Sequence, residues 1–182
     1  NSQHIEQYWQ PNTRLAMVST PSNPTGTVLS TVKMGSLIEA VKHNSGYLIV
    51  DEIYQGLVYD QDDETALSIT DDVFVINSFS KYFGMTGWRL GWMVAPDDFV
   101  EDIDRIAQNI FLSPSTPAQY AALEAFSEEA ISVHEERALV FKQRRDYLLS
   151  VLPSLGFKVK AKPKGAFYIY SDCSIVGNSQ DN

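Results

Sequence analysis

The chain has 182 residues, 44% of them hydrophobic and 20% charged, which suits one packed core and argues against disorder. A formal net charge of -9 removes the electrostatic basis for a nucleic-acid partner or an anionic membrane surface. The single Cys173 excludes an internal disulfide framework, and no signal peptide or bilayer-long apolar run is visible, so a reducing, cytoplasmic setting is expected.

In chain order, RLAMVS (Arg14 to Ser19) reads as a short strand, and the Pro, Asn and Gly of TPSNPTG that follow read as a loop. Ser30 is placed to cap a helix with Val32, Leu37, Ile38 and Val41 on one face, weakened by Gly35 and ending at Asn44 to Gly46. YLIV (Tyr47 to Val50) and VFVI (Val73 to Ile76) are continuous apolar runs of the kind buried on both faces of a parallel sheet. RLGWMVA gives a further strand, and the short gap between SFSK and RLGW leaves room for one antiparallel member. Beyond Pro96 the period becomes helical. Phe99, Ile103 and Ile106 mark one helix, and Pro117 opens another in its first turn. A long helix from Glu128 to about Leu152 carries the stripe Ile131, Ala138, Phe141, Leu148 and Leu152, with its charges on a solvated face. FKVKAK and GAFYIYSD then alternate as strands.

These elements predict an α/β fold, a mostly parallel sheet with helical crossovers, followed by a long helix leading into a small α+β domain. Residues 1–130 are expected to form a partial large domain, and 131–182 the linker helix and the start of the small one. The absence of an initiator methionine and the close just after a strand-like segment suggest a piece of a larger protein. His4, His43 and His134 lack ligand spacing, so no metal is expected.

Asp51 terminates a buried strand, Lys81 follows the next one, and Asn23 lies at the exit of the first. The carboxyl ends of strands in open α/β sheets are where ligands bind, so a carboxylate, an amine and an amide are expected at one crevice. Lys81 sits among Phe79, Tyr82 and Phe83, where poor hydration favours the neutral amine, a nucleophile toward carbonyls. Gly84, Gly87 and Gly91 read as tight backbone rather than a nucleotide loop, Trp88 and Trp92 as packing, and Glu52 as structural.

The ordered set NPTG (Asn23 to Gly26), DEIYQGLVY (Asp51 to Tyr59), SFSK (Ser78 to Lys81) and GWRLGW (Gly87 to Trp92) resembles the class I/II aminotransferases of fold-type I pyridoxal-phosphate enzymes, with separations of 28, 30 and 8 residues between Asn23, Asp51, Lys81 and Arg89. The resemblance implies pyridoxal 5'-phosphate as cofactor, with Lys81 as the Schiff-base lysine and general base, and Asp51 paired to the pyridine nitrogen. It further implies Asn23 and Tyr54 on the phenolic oxygen, Ile53 against a ring face, Ser78 and Arg89 on the phosphate, and a cis Asn23–Pro24 bond. The activity implied is transfer of an amino group between an L-amino acid and a 2-keto acid by a homodimeric parent, this segment alone being weakly active or inactive. A carbon–sulfur β-lyase, an aminocyclopropane-carboxylate-type lyase, or the ligand-sensing domain of a transcription regulator are the alternatives.

Overall fold

The computed structural model describes residues 1–174. Four strands form one sheet in the order β1 (Leu15–Ser19), β2 (Tyr47–Asp51), β3 (Phe74–Ser78) and β4 (Gly91–Val94). The first three run parallel and β4 is antiparallel to β3, so the short SFSK to RLGW connection does deliver the antiparallel member. The fold is α/β with a mostly parallel sheet. An unanticipated helix, α1 (Ser2–Tyr8), precedes the sheet, with the Asn1 side chain capping the His4 N–H.

Helix α2 (Thr31–His43) crosses from β1 to β2 and carries the main core. Its buried residues are Met34, Leu37, Ile38, Ala40 and Val41, several of which pack on Leu48 and Val50 of β2 and Val75 of β3. Burying each such aliphatic side chain is worth about 1.5–3 kcal/mol. Two expectations need correcting. Val32 is exposed, because the spacing 34, 37/38, 41 turns residue 32 to the far side, and Ser30 occupies the cap position without a side-chain capping bond.

Helices α3 (Asp97–Ile110), α4 (Thr116–Glu124, with proline in its first turn) and α5 (Glu128–Val151) follow β4. Phe99 seats α3 edge-on against Tyr47 and Phe74, at centroid distances of 4.9 and 5.2 Å, but no residue of α3 is buried. The Ser127 hydroxyl caps α5, and a turn of tighter helix ends at left-handed Gly156. The buried side chains of α5 are His134, Ala138 and Arg145, so Leu148, expected in the apolar stripe, is exposed and a charged residue lies inside. Arg145 tolerates burial because its guanidinium bonds Asp60 and Asp146 at 2.7 Å and the Pro163 carbonyl at 3.0 Å.

FKVKAK and GAFYIYSD are not sheet strands. They contribute isolated antiparallel bridges, Lys158 to Asp172 and Val58 to Gly165, because Ala166 takes a left-handed φ of 57° that interrupts the extended run. Among the described residues no helix is long and apolar enough to cross a membrane.

Candidate active site

Parallel pairing puts Ser19 beside Asp51 and Asp51 beside Ile76, so the carboxyl ends of β1, β2 and β3 reach one edge of the sheet. The loop after β1 is folded back on itself by the Ser22 N–H on Thr27 and the Gly26 N–H on Ser22, and its Asn23–Pro24 bond is cis. So is Thr20–Pro21, which no motif singles out. Gly26 has a φ of +63°, and a Cβ there would stand 2.5 Å from that of Pro163. Its carbonyl accepts from both Lys164 and Gly165, at 2.8 and 2.9 Å. Only glycine lets the two backbones approach so closely. That contact carries the 163–168 segment, with Phe167 and Tyr168, to the strand ends.

Lys81 lies in the turn after β3, partly buried, with Nζ 5.6 Å from the Tyr54 ring centroid and 5.7 Å from that of Phe167. Among the described residues it takes part in no ion pair. Tyr54 is 1% exposed, and its hydroxyl lies 2.5 Å from that of Tyr168, which also accepts from the Asn23 amide at 3.4 Å. Burial first, and then the Tyr168 hydroxyl and the Asp51 charge, push the Tyr54 phenol well above its ordinary value. It therefore stays protonated and able to donate at neutral pH. The Asp51 carboxylate accepts the Ile53 N–H through Oδ1 at 3.1 Å, which fixes the turn into Ile53 and Tyr54. Glu52 points the other way, 1% exposed, with Oε1 bonded to the Ala66 N–H at 2.7 Å.

Of the residues singled out in the sequence, Asn23, Asp51 and Lys81 thus gather about Tyr54, with Ile53 adjacent to Asp51. Ser78 and Arg89 make their bonds elsewhere. The Ser78 hydroxyl donates to the Leu90 carbonyl at 3.3 Å and accepts the Ser80 N–H, while Arg89 is exposed with Nη1 on the Thr86 carbonyl. Arg89 has a left-handed φ of 54° and lines a 660 Å³ depression with Gly87, Trp88, Phe111 and Ser113. Trp92 packs edge-on against Phe79, whereas Trp88 is exposed and Gly87 has open space around it. Sequence reading missed Phe167 and Tyr168. The only available signal was an aromatic run beside Gly165, and its pairing with Tyr54 depends on a contact across 114 residues.

An acid, an amide, a phenol and an amine meet around aromatic faces, a donor set suited to a flat polar ring that carries a carbonyl group. A family model described as aminotransferase class I and II matches residues 3–179. The chain is 34% identical to (5-formylfuran-3-yl)methyl phosphate transaminase of Methanocaldococcus jannaschii over 95% of its own length and 46% of that protein's. It is 36% identical to valine–pyruvate aminotransferase of Mycobacterium tuberculosis, covering 90% and 43%. Among solved structures, aspartate aminotransferase from Thermus thermophilus with maleate superposes with a TM-score of 0.90 at 32% identity, covering 97% of this chain and 47% of that one. The chain spans about half the length of the curated relatives it matches.

Proposed function

Because this chain belongs to the class I and II aminotransferase family, we propose that the protein it is part of transfers an amino group between an L-amino acid and a 2-keto acid, using pyridoxal 5'-phosphate. In this reading Lys81 holds the cofactor aldehyde, Asp51 the ring nitrogen, Asn23 and Tyr54 the phenolic oxygen, and Ile53 a ring face. Ser78 and Arg89 hold the phosphate, where an arginine fork gives charge and direction together. When bound, the cofactor supplies an electron-withdrawing ring that delocalises the charge left as the substrate α-proton departs. A carboxylate at Asp51 favours a protonated, cationic ring. Tyr54, kept protonated by burial, donates rather than competes for a proton. Once the substrate amine has displaced it from the aldehyde, the free Lys81 amine would be the base that takes the substrate α-proton at Nζ and holds it for return.

The observation that carries this reading is the placement of Lys81 Nζ over the Tyr54 ring while the hydroxyl of that ring is bonded to Tyr168 and within the field of Asp51. The division at residue 130, a homodimeric parent and a cytoplasmic location belong to the same reading. Borohydride reduction of the full-length protein with cofactor, followed by peptide mapping, is expected to label Lys81, and a label elsewhere sinks the assignment. Lys81→Ala is expected to lower kcat by about 10²–10⁴-fold, read as keto-acid formation from an amino acid/keto acid pair. Pyruvate release from cystathionine without transamination would instead make the protein a β-lyase.

A further inference from the structure

Lys81 belongs to no regular element, yet the carbonyls around it are all bonded. Four successive carbonyls, Phe79 to Tyr82, each accept a hydrogen bond, from Met85 N–H at 2.9 Å, the Thr86 hydroxyl at 2.7 Å, Gly84 N–H at 3.0 Å and Arg137 Nη2 at 2.7 Å. Three donors are local. The fourth comes from α5, 55 residues away, and fixes the residue directly after the lysine.

Arg137 is itself held. The same Nη2 donates to His134 Nδ1 at 2.7 Å, and His134, 7% exposed, uses Nε2 on the Ala125 carbonyl at 3.2 Å. Burial and the Arg137 charge push His134 below its ordinary value, which keeps the Nδ1 lone pair available. The guanidinium occupies the space that Gly84 leaves, since a Cβ there would come within 2.4 Å of Nη1. Gly84 has a φ of +70°, so any other residue is disfavoured twice. Tyr82 is tied to α5 at its other end too, through its hydroxyl on Glu135 at 2.5 Å, and its ring lies against Gly56. Both the main chain and the side chain of the residue next to Lys81 are thus anchored to one helix.

We propose that Arg137, oriented by His134 and admitted by Gly84, is a positioning residue that fixes the Lys81 turn from α5. Lys81 moves a proton between two carbons, so a sub-ångström error at its Cα is felt at Nζ, and misplacement of a catalytic group by 1 Å costs on the order of 10²-fold. Arg137 touches neither Lys81 Nζ nor the groups about it. It acts through the Tyr82 carbonyl.

The inference rests on the aminotransferase reading only for its kinetic readout, so the test has two arms. In the full-length apoprotein, competitive acetylation mapped by mass spectrometry gives the reactivity of Lys81 as a function of pH. Arg137→Met, which keeps bulk and removes the donors, is expected to change the Lys81 labelling rate several-fold and move its pH midpoint, while Val41→Ala in the α2 core lowers stability without either effect. In the loaded enzyme Arg137→Met is expected to lower kcat about 10- to 100-fold with KM within about twofold. His134→Ala should act in the same direction with smaller amplitude, and His134→Gln, which keeps an acceptor and a donor, should recover part of the loss. Lys81 labelling and its pH midpoint in Arg137→Met and His134→Ala indistinguishable from wild type would overturn the inference. Altered labelling in a protein that never transaminates would leave it standing and sink the functional reading instead.

Discussion

At 2.5 Å the Tyr54 and Tyr168 hydroxyls share one proton between them, and whichever donates leaves the other free to turn its own proton toward a bound group. The Tyr168 bond and charge both hold the Tyr54 phenol up, after burial itself. Tyr168→Phe keeps the ring and deletes these contributions, so Tyr54 should ionise at lower pH. A phenol raised in the folded state stabilises the fold below its unfolded value near 10, and that stabilisation is lost as pH rises through the folded value. The variant, its folded value closer to the unfolded one, therefore should lose less stability across the alkaline range than the wild type, besides about 1 kcal/mol at neutral pH from the lost hydrogen bond. Tyrosinate absorbance of the full-length apoprotein, with Tyr54→Phe to identify the signal, checks this, and an unchanged titration would separate the two hydroxyls. Asn23, Asp51 and Lys81 were legible because strand ends fix where polar groups emerge. Tyr168 was not, since its approach depends on the Gly26 to Lys164 backbone contact and the left-handed turn at Ala166, which no local pattern announces.

The long helix α5 shows what periodicity reads well and what it misses. Its existence and its start at Glu128 follow from the pattern, and Ala138 and Phe141 do face inward. Arg145 falls on the same face, and nothing in its spacing distinguished it from the solvated charges of the opposite side. What admits it is Asp60, a left-handed residue after Tyr59 whose carboxylate meets Arg145 at 2.7 Å and Lys142 at 3.2 Å. These cations hold the Asp60 carboxyl at about 2. Depressed below its unfolded value, it contributes stability above pH 4 that is lost as pH falls toward 2. Arg145→Ala leaves Asp60 and Asp146 with only the exposed Lys142 between them and empties a buried site, so a loss on the order of 3 kcal/mol is expected in urea unfolding. The variant should also show a shallower fall in stability between pH 4 and 2. A cost near zero with the acid slope retained would mean that Lys142 alone sustains Asp60. The alternation in 157–172 misled in the opposite sense, because period two records only alternate exposure, and these residues spend their backbone bonds on Leu57, Tyr59 and Gly26 instead of one strand.

Across the whole molecule, one side of the sheet is well buried and the other is only partly covered, by Phe99 of α3 over Tyr47 and Phe74. Val50 and Val75 are enclosed beneath α2, while Leu15 and Met17 on β1 and Trp92, Met93 and Val94 on β4 are exposed at both edges. Helices α3 and α4 add Ile106, Ile110, Leu123 and, in the connection between them, Leu112 at 82% exposure. The period of α3 was legible from Phe99, Ile103 and Ile106, but a period identifies an apolar face without naming what covers it. Contiguous apolar surface with two unpaired strand edges is an association hazard for a free chain. Relatives about twice as long contain further chain, and we expect the corresponding part of the full-length protein to cover these residues. The 182-residue chain on its own should therefore bind a hydrophobic dye strongly and sediment as oligomers at micromolar concentration, with little turnover, whereas the full-length protein should bind the dye weakly. Met17→Lys with Met93→Glu, each on an exposed edge strand, should reduce self-association of the short chain without lowering its Tm. If the short chain instead runs as a dye-silent monomer, this apolar face is stable in water as it stands and needs no cover.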